Sequence, residues 1–373
     1  MMTHLTLIVP FSVPPGAAID ADGGGNDAML EALLRQLELP ALGKLLTRAS
    51  PGPRERHDDP FLRTLPHERW LAGRAGLDTA RLPSAPFMRL ADMNATGADD
   101  GQAWACLQPV HIHAARDHLV LMNPAQLGLR EEEAAALRAA VAGLLQESGI
   151  MLEAPAPARW YIPEAVFGPL VAASPLRATG RNIDIWMQAG ERARDWRRIQ
   201  NEIQMTWHDH PVNQAREAAG ELSVNSVWLY GGGTLQPVPR LADTVLANDA
   251  FLRGLALAGG AAYLPLPPRF SAIGDMQATG GSAMVLLEDA AEAYIGEDWG
   301  LWIERMHALD AEWFAPALAA LEAGQLQALT VMLAGEHHHA EFTVRRADLR
   351  KFWRGLGQRG DWRALLSDLA YAA

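Results

Sequence analysis

One cysteine, Cys106, is all that the 373 residues contain. It excludes an intrachain disulfide framework and a thiolate metal cluster, and it suits a reducing cytoplasm. Basic residues are also in short supply: 32 Lys and Arg face 44 Asp and Glu, for a formal net charge of −12. That balance argues against nonspecific binding to nucleic acid or to an anionic membrane. No apolar run approaches the length of a bilayer span, and LTLIV at 5–9 is too short for a signal peptide. The expectation is a soluble, cytoplasmic protein. A nucleophile elbow of the G-x-S-x-G kind is missing, and the GGG at 231–233 has neither a following Lys-Ser or Lys-Thr nor the glycine spacing of a dinucleotide site.

What is present can build a full core: 49% of residues are hydrophobic and 20% charged. The length allows two domains, or one large domain carrying an insertion. The most distinctive stretch is IQNEIQMTWHDHPVNQAREAAGELSVNSVWLYGGGTLQPVP, 199–239. Trp196, Ile199, Ile203 and Trp207 share one helical face, and Pro211 predicts a helix end near Asp209. A polar loop follows. Val224, Val227, Trp228 and Leu229 then predict a strand buried on both faces and ending at Tyr230. Gly231, Gly232 and Gly233 predict a loop at that strand's carboxyl end, where open α/β sheets bind ligands.

Elsewhere LTLIV predicts a first strand, 27–38 and 39–49 predict helices, and 50–60 predicts a charged surface loop. The soft ATGADD stretch at 95–100 marks a boundary. Residues 104–114 and 117–123 predict strands, 130–147 a helix with acids in its first turn, and 158–163 a strand. Together they predict a compact α+β unit over 101–221. Further on, 241–257, 298–309 and 310–322 predict helices, and 283–288 a buried strand. A hairpin at 328–334 and 340–345 surrounds the EHHH turn, and helices at 347–356 and 361–370 close the chain.

Candidate chemistry is diffuse. Cys106 reads as a buried thiol rather than a nucleophile. His111 and His113 alternate on one strand face with His118 nearby, a pattern that serves a metal or a polar surface. His337, His338 and His339 predict an exposed turn, because consecutive residues do not converge on one tetrahedral ion. His208, Asp209, His210 and Asn213 cluster at a helix end beside Arg216, where capping explains them as well as a ligand does. Arg177, Arg181 and Asp184 in SPLRATGRNIDIW predict either an anion clamp or local ion pairs.

HPVNQAREAAGELSVNSVWLYGGGTLQPVP resembles the linker-to-core segment of archaeal-type, cofactor-independent phosphoglycerate mutases. WACLQPVHIHA, LREEEAAALRAAV and ARWYI resemble their inserted domain, and the likeness runs through most of the chain in order. SPLRATGRNIDIWM with EIQMTWHDHPVNQAR most resembles bacterial proteins of the RpfE-type regulatory family. The resemblance implies an alkaline-phosphatase-like fold: a mostly parallel α/β sandwich with core 1–100 and 222–373, interrupted by an α+β insert at 101–221. It also implies two-metal phosphoryl transfer, with a strand-end Asp, a Ser nucleophile and later Asp-His motifs. This sequence departs at each of them. Pro10 and Phe11 stand where the family has Asp-Gly, no serine sits in the Gly-Ser-Asp setting, and ALTVMLAGEHHHAEFTV replaces the Asp-His-x-Thr-Pro element. Most of a two-cation shell is thereby lost.

The expectation is a catalytically degenerate regulatory or ligand-binding module without a cofactor, taking a phosphorylated or anionic small molecule or a protein partner. Its site would lie between core and insert, lined by Arg181, Asp184, His208, His210, Asn213, Arg216, Asn225 and Gly231, Gly232 and Gly233. Two alternatives stay open. One is an active phosphomutase or phosphatase with a divalent metal relocated to His111, His113, His208 or His210. The other is a structural partner protein using its tryptophan-rich surfaces.

Overall fold

Strand β1, Met2–Val9, takes the first apolar run into the middle of the main sheet. Its side chains alternate across the pleat: Leu5, Leu7 and Val9 join one core cluster, and Ile8 joins another. The computed structural model describes residues 2–16, 27–57, 59, 61–94, 100–271, 273, 281–351 and 361–370. The predicted boundary at 95–99, and parts of the 20–27 loop and the 347–356 helix, lie outside the described residues.

After β1 come α1 (Asp27–Gln36), α2 (Pro40–Arg48) and β2 (Ser50–Glu55), then α3 (Pro66–Ala75) and α4 (Ser84–Asp92). The middle of the chain holds β3 (Ala103–Val110), β4 (Ile112–Ala114), β5 (Leu119–Leu121), α5 (Glu131–Glu147), β6 (Glu153–Ala156) and β7 (Arg159–Pro163). Next are α6 (Pro175–Ala178), α7 (Ala193–His208), α8 (Pro211–Ala218) and β8 (Ser226–Thr234). The last part runs β9 (Thr244–Leu246), α9 (Ala250–Ala258), β10 (Ala262–Leu264), β11 (Gly281–Leu286), α10 (Ala291–Ile295) and α11 (Trp299–Leu309). It ends with α12 (Ala315–Ala323), β12 (Leu326–Ala334), β13 (His339–Arg345), α13 (Arg346–Leu349) and α14 (Trp362–Ala370).

The main sheet has seven strands in the order β10-β9-β11-β1-β12-β13-β2. The first five are parallel to one another, and β13 and β2 complete one edge antiparallel. The α/β class with a mostly parallel sheet is therefore as expected. A second, four-stranded antiparallel sheet has the order β6-β7-β3-β8. One face of it, with Trp104, Cys106, Trp228 and Tyr230, shares a core cluster with residues of α3, α4 and α9 and with Ile8 and Met284 of the main sheet. The other face, with Leu107, Val227 and Leu229, packs with residues of α5 and α7.

Several expectations change here. Segment 50–55 is an edge strand rather than a loop; Pro51 and Pro53 are tolerated because an edge need not donate on both sides. Residues 241–257 divide into β9 and α9. The polar loop after Pro211 is α8, which that proline opens at a position where its missing amide hydrogen costs nothing. Between α11 and α12, Asp310–Phe314 form a π-helical turn just before Pro316, which has no amide hydrogen for a regular helical bond.

The largest change concerns β8. It runs antiparallel to β3 in the second sheet, and its glycines lie inside the strand rather than in a loop after it. Register slips opposite Trp104 and Cys106, and Gly231 and Gly233 adopt φ of 71° and 156°. A Cβ on Gly231 would overlap Ser84 Oγ, and one on Gly233 would come 2.5 Å from Pro83 Cβ. The glycines let the start of α4 lie directly on the strand.

Candidate functional site

The carboxyl ends of the parallel strands converge beside a cavity of about 290 Å³. Glu288 follows β11 by two residues and Asp249 follows β9 by three. α3 adds His67, Glu68 and Leu71, α4 adds Ser84 and Met88, and β8 adds Tyr230 and Gly231. Gln108, Asn123, Ala172 and Ser174 complete the polar and small lining on the side of the second sheet. The position obeys the rule that open α/β sheets bind outside the carboxyl ends of their strands.

Local structure explains two of the three carboxyls. Asp249 is the N-cap of α9, its Oδ1 accepting from the Leu252 amide at 2.7 Å. Glu68 lies in the first turn of α3 and accepts from the Leu65 amide at 2.7 Å, with Ser174 as a further partner. No hydrogen bond to the Glu288 carboxyl is found among the described residues, and none to the His67 ring, although His67 is only 5% exposed. Among the described residues its ring meets the Phe11 ring in an edge-type contact, at 6.3 Å between centroids.

The electrostatics follow from this burial. Desolvation lifts the Glu288 carboxyl to about 8, and the neighbouring acids Asp249, Asp289 and Glu68 add to it. Burial also raises Asp249 and Glu68, against the pull of their amide donors. His67 moves the other way, down to about 3, through burial and then the positive neighbours Arg69 and His339. At neutral pH one wall of the cavity thus offers a largely protonated carboxyl and a neutral imidazole.

The residues singled out from sequence are scattered, and of the predicted set Gly231 alone lines this cavity. Asn213 is buried and gives Nδ2 to the carbonyls of Trp207 and Val224, both at 2.8 Å, while Oδ1 receives the Val224 amide at 2.7 Å. Arg216 is buried too, donating to the carbonyls of Leu222 and Leu127 and to Glu133. Asn225 ties the Ile112 amide and carbonyl at 2.8 Å each. His210 caps α8, and His208 and Asp184 are exposed. Gly232 sits against Glu164 and Gly233 against Pro83.

The arginine pair is spoken for. Arg177 and Arg181 reach Glu336 at 3.4 and 2.5 Å, and His337 reaches it at 3.3 Å. Burial works against its charge, but His337 and Arg181 hold the Glu336 carboxyl well below the usual carboxylate range. Two turn histidines are not exposed as expected: His338 and His339 are 5% and 4% exposed, because this turn folds back against β2, where the His57 amide donates to His338 Nδ1. Cys106 is buried as expected, and burial pushes its thiol up to about 12.

Two divalent cations, which the resemblance would imply, do not fit these residues. Among the described residues no group of three or more His, Cys, Asp or Glu is arranged to hold a metal ion. His111 and His113 stack on the surface with centroids 6.5 Å apart, and His208 is exposed on a different element. Just beyond the tip of β1 stand the buried Pro10 and Phe11, neither of which offers a metal ligand.

His67, Glu68, Asp249 and Glu288 escaped the sequence reading. Glu288 had a usable signal, an acid closing the apolar AMVLLE run where such strands present ligands. The others resemble ordinary helix starts.

Fold and cavity together define an α/β protein with a small-molecule-sized pocket at the carboxyl edge of its parallel sheet. No family model matches the chain, and no curated protein matches it. In fold it is similar to the PH0037 protein of Pyrococcus horikoshii, with TM-score 0.53 and 12% identity over 92% of this chain and 88% of that one. It also aligns with a cofactor-independent phosphoglycerate mutase of Thermoplasma acidophilum, at TM-score 0.43 and 14% identity, covering 99% of this chain and 100% of that chain. The first shows the fold alone, and the second score is too low to bear on fold or function. No helix among the described residues is long and apolar enough to cross a membrane.

Proposed function

We propose that this protein is a regulatory, ligand-binding module on a phosphoglycerate-mutase-like scaffold of the alkaline-phosphatase type, related to the RpfE-type regulatory proteins. It binds a small molecule in the cavity between the two sheets and does not use the two-cation chemistry of that lineage. In this reading the core is discontinuous and the insert begins near 101. The insert is taken to end near 221, and β8 then pairs with β3 of the second sheet as far as Thr234. One buried cysteine and a net charge of −12 support a cytoplasmic setting.

The observation that carries the proposal is His67, 5% exposed and without a hydrogen-bond partner among the described residues, on the wall of a cavity of about 290 Å³. A polar side chain that lines a cavity and makes no internal hydrogen bond is available to a ligand. The test is protein-observed NMR with a mixed set of small molecules: phosphorylated, anionic, neutral and cationic. Wild type shows saturable shifts around the cavity, and Ala172→Trp, which fills its partly exposed wall, loses them. Equal binding by Ala172→Trp, or shifts confined to the α7–α8 junction, would sink the proposal.

A further inference from the structure

We propose that the occupant of the cavity is a small organic cation, a primary ammonium or amidinium on an apolar body, seated on Glu288 between Glu68 and Asp249. The inference rests on the cavity being the binding site and adds the class of ligand. Three carboxyl groups line it against one cationic residue, Arg63, which already donates to the Met187 carbonyl at 3.0 Å. A phosphate or carboxylate would enter beside those acids with no free cation to meet it, so charge selects against the anionic ligand expected from sequence.

A bare metal ion suits the wall no better. Glu68 and Asp249 already accept from helix amides, and no convergent ligand set is present among the described residues. Metal ions need several oxygens or nitrogens at about 2.0–2.6 Å, whereas an ammonium tolerates acceptors at hydrogen-bond distance. Among the described residues Glu288 is the carboxyl of the three with no hydrogen-bond donor. His67, kept neutral by burial, adds a ring lone pair. Leu71, Leu82, Met88, Phe251 and Leu286 provide an apolar surface for the rest of the ligand.

Protonation supports the geometry. The groups facing Glu288 are Asp249, Asp289, Glu68, His67, Arg63 and Tyr230, and the acids among them help hold its proton on. An arriving R–NH₃⁺ replaces that repulsion with attraction. The Glu288 proton then leaves to solvent, and the ion pair R–NH₃⁺···carboxylate remains. Affinity for an amine therefore rises as pH rises towards and through about 8, while the amine itself stays protonated.

The experiment is isothermal titration of the full chain with n-butylamine, 1-butanol, butyrate, 3-phosphoglycerate and MnCl₂. Wild type, Glu288→Gln, Glu288→Ala and Ala172→Trp are compared. Butylammonium should bind wild type at least about tenfold more tightly than 1-butanol, and both Glu288 variants should lose about tenfold, the scale of one charge-assisted hydrogen bond. At pH near 7, buffers of different ionisation enthalpy should report proton release from wild type. If Glu288→Gln folds poorly, Glu288→Ala and the wild-type proton release decide. Absent amine binding, equal binding of alcohol or butyrate, Mn²⁺ binding that blocks the amine, or amine affinity indifferent to both Glu288 variants each overturns the cation. Butyrate or 3-phosphoglycerate binding that Ala172→Trp abolishes would remove the cation and leave the cavity standing; no ligand sensitive to Ala172→Trp removes both.

Discussion

At the junction of α7 and α8, Asn213 and Arg216 spend their polar contacts on carbonyls, an amide and two glutamates of their own chain. At the cavity, 5%-exposed His67 and the Glu288 carboxyl have no such partner among the described residues. The junction draws the eye in the sequence because its polar residues are adjacent. The cavity gathers its residues from α3, α4, β8, the start of α9 and the end of β11, so no short window displays it. A saturated cluster holds structure together; an unsatisfied one waits for something else to complete it.

That contrast breaks most visibly at Arg216. Its replacement by Ala leaves two carbonyls without their donor and takes one of two arginine partners from Glu133, which Arg130 still holds; it should cost about 2–4 kcal/mol by chemical denaturation. Ligand-induced NMR shifts at the cavity should survive at temperatures where the variant is folded. A loss below about 1 kcal/mol would mean the junction is not saturated in the way described. Asn213→Ala removes three bonds and should cost about 2–3 kcal/mol in the same measurement. Gly231→Ala should lose about 2 kcal/mol, since φ of 71° strains any other residue and Ser84 leaves no room.

The cavity responds to pH instead. Glu288 has its folded pKa raised from 4.5 to about 8, so the stability it contributes is complete below 4.5 and disappears as pH rises through about 8. His67 has its folded value lowered from 6.5 to about 3, so its share is complete above 6.5 and disappears as pH falls towards 3. The two oppose each other between 4.5 and 6.5, which leaves the alkaline arm to Glu288 and its acidic neighbours. Melting temperature should therefore fall between about pH 6.5 and about pH 8.5, and Glu288→Gln should flatten that fall. A curve unchanged in Glu288→Gln would show that the carboxyl is better solvated than its surroundings suggest. The smallest effects belong to His208→Ala and Asp184→Ala, exposed side chains whose loss should stay within about 0.5 kcal/mol and leave binding untouched.

Much of the architecture was legible. The apolar run at 5–9 and the AMVLLE run are neighbouring parallel strands, as their lack of alternation implies. The helix at 130–147 and the hairpin of β12 and β13 follow their periodicities. Three glycines after an apolar strand misled, because a bulge needing φ > 0 and a ligand loop place the same demand on sequence. Pro51 and Pro53 misled because sequence does not say which strand will lie at an edge. Of the residues chosen from sequence only Gly231 lines the cavity, and its acids were missed: Glu68 and Asp249 read as helix starts, and they are helix starts.

Those two carboxyls have a consequence for how occupancy could be sensed at a distance. One oxygen of each anchors the opening turn of a helix, α3 or α9. Any guest that bids for the same oxygens loosens or tightens those turns, and amide exchange at Leu65 and Leu252 would register it. Both helices belong to the core cluster shared with the two sheets, so altered exchange at either start is the expected mark of a guest that reaches those oxygens.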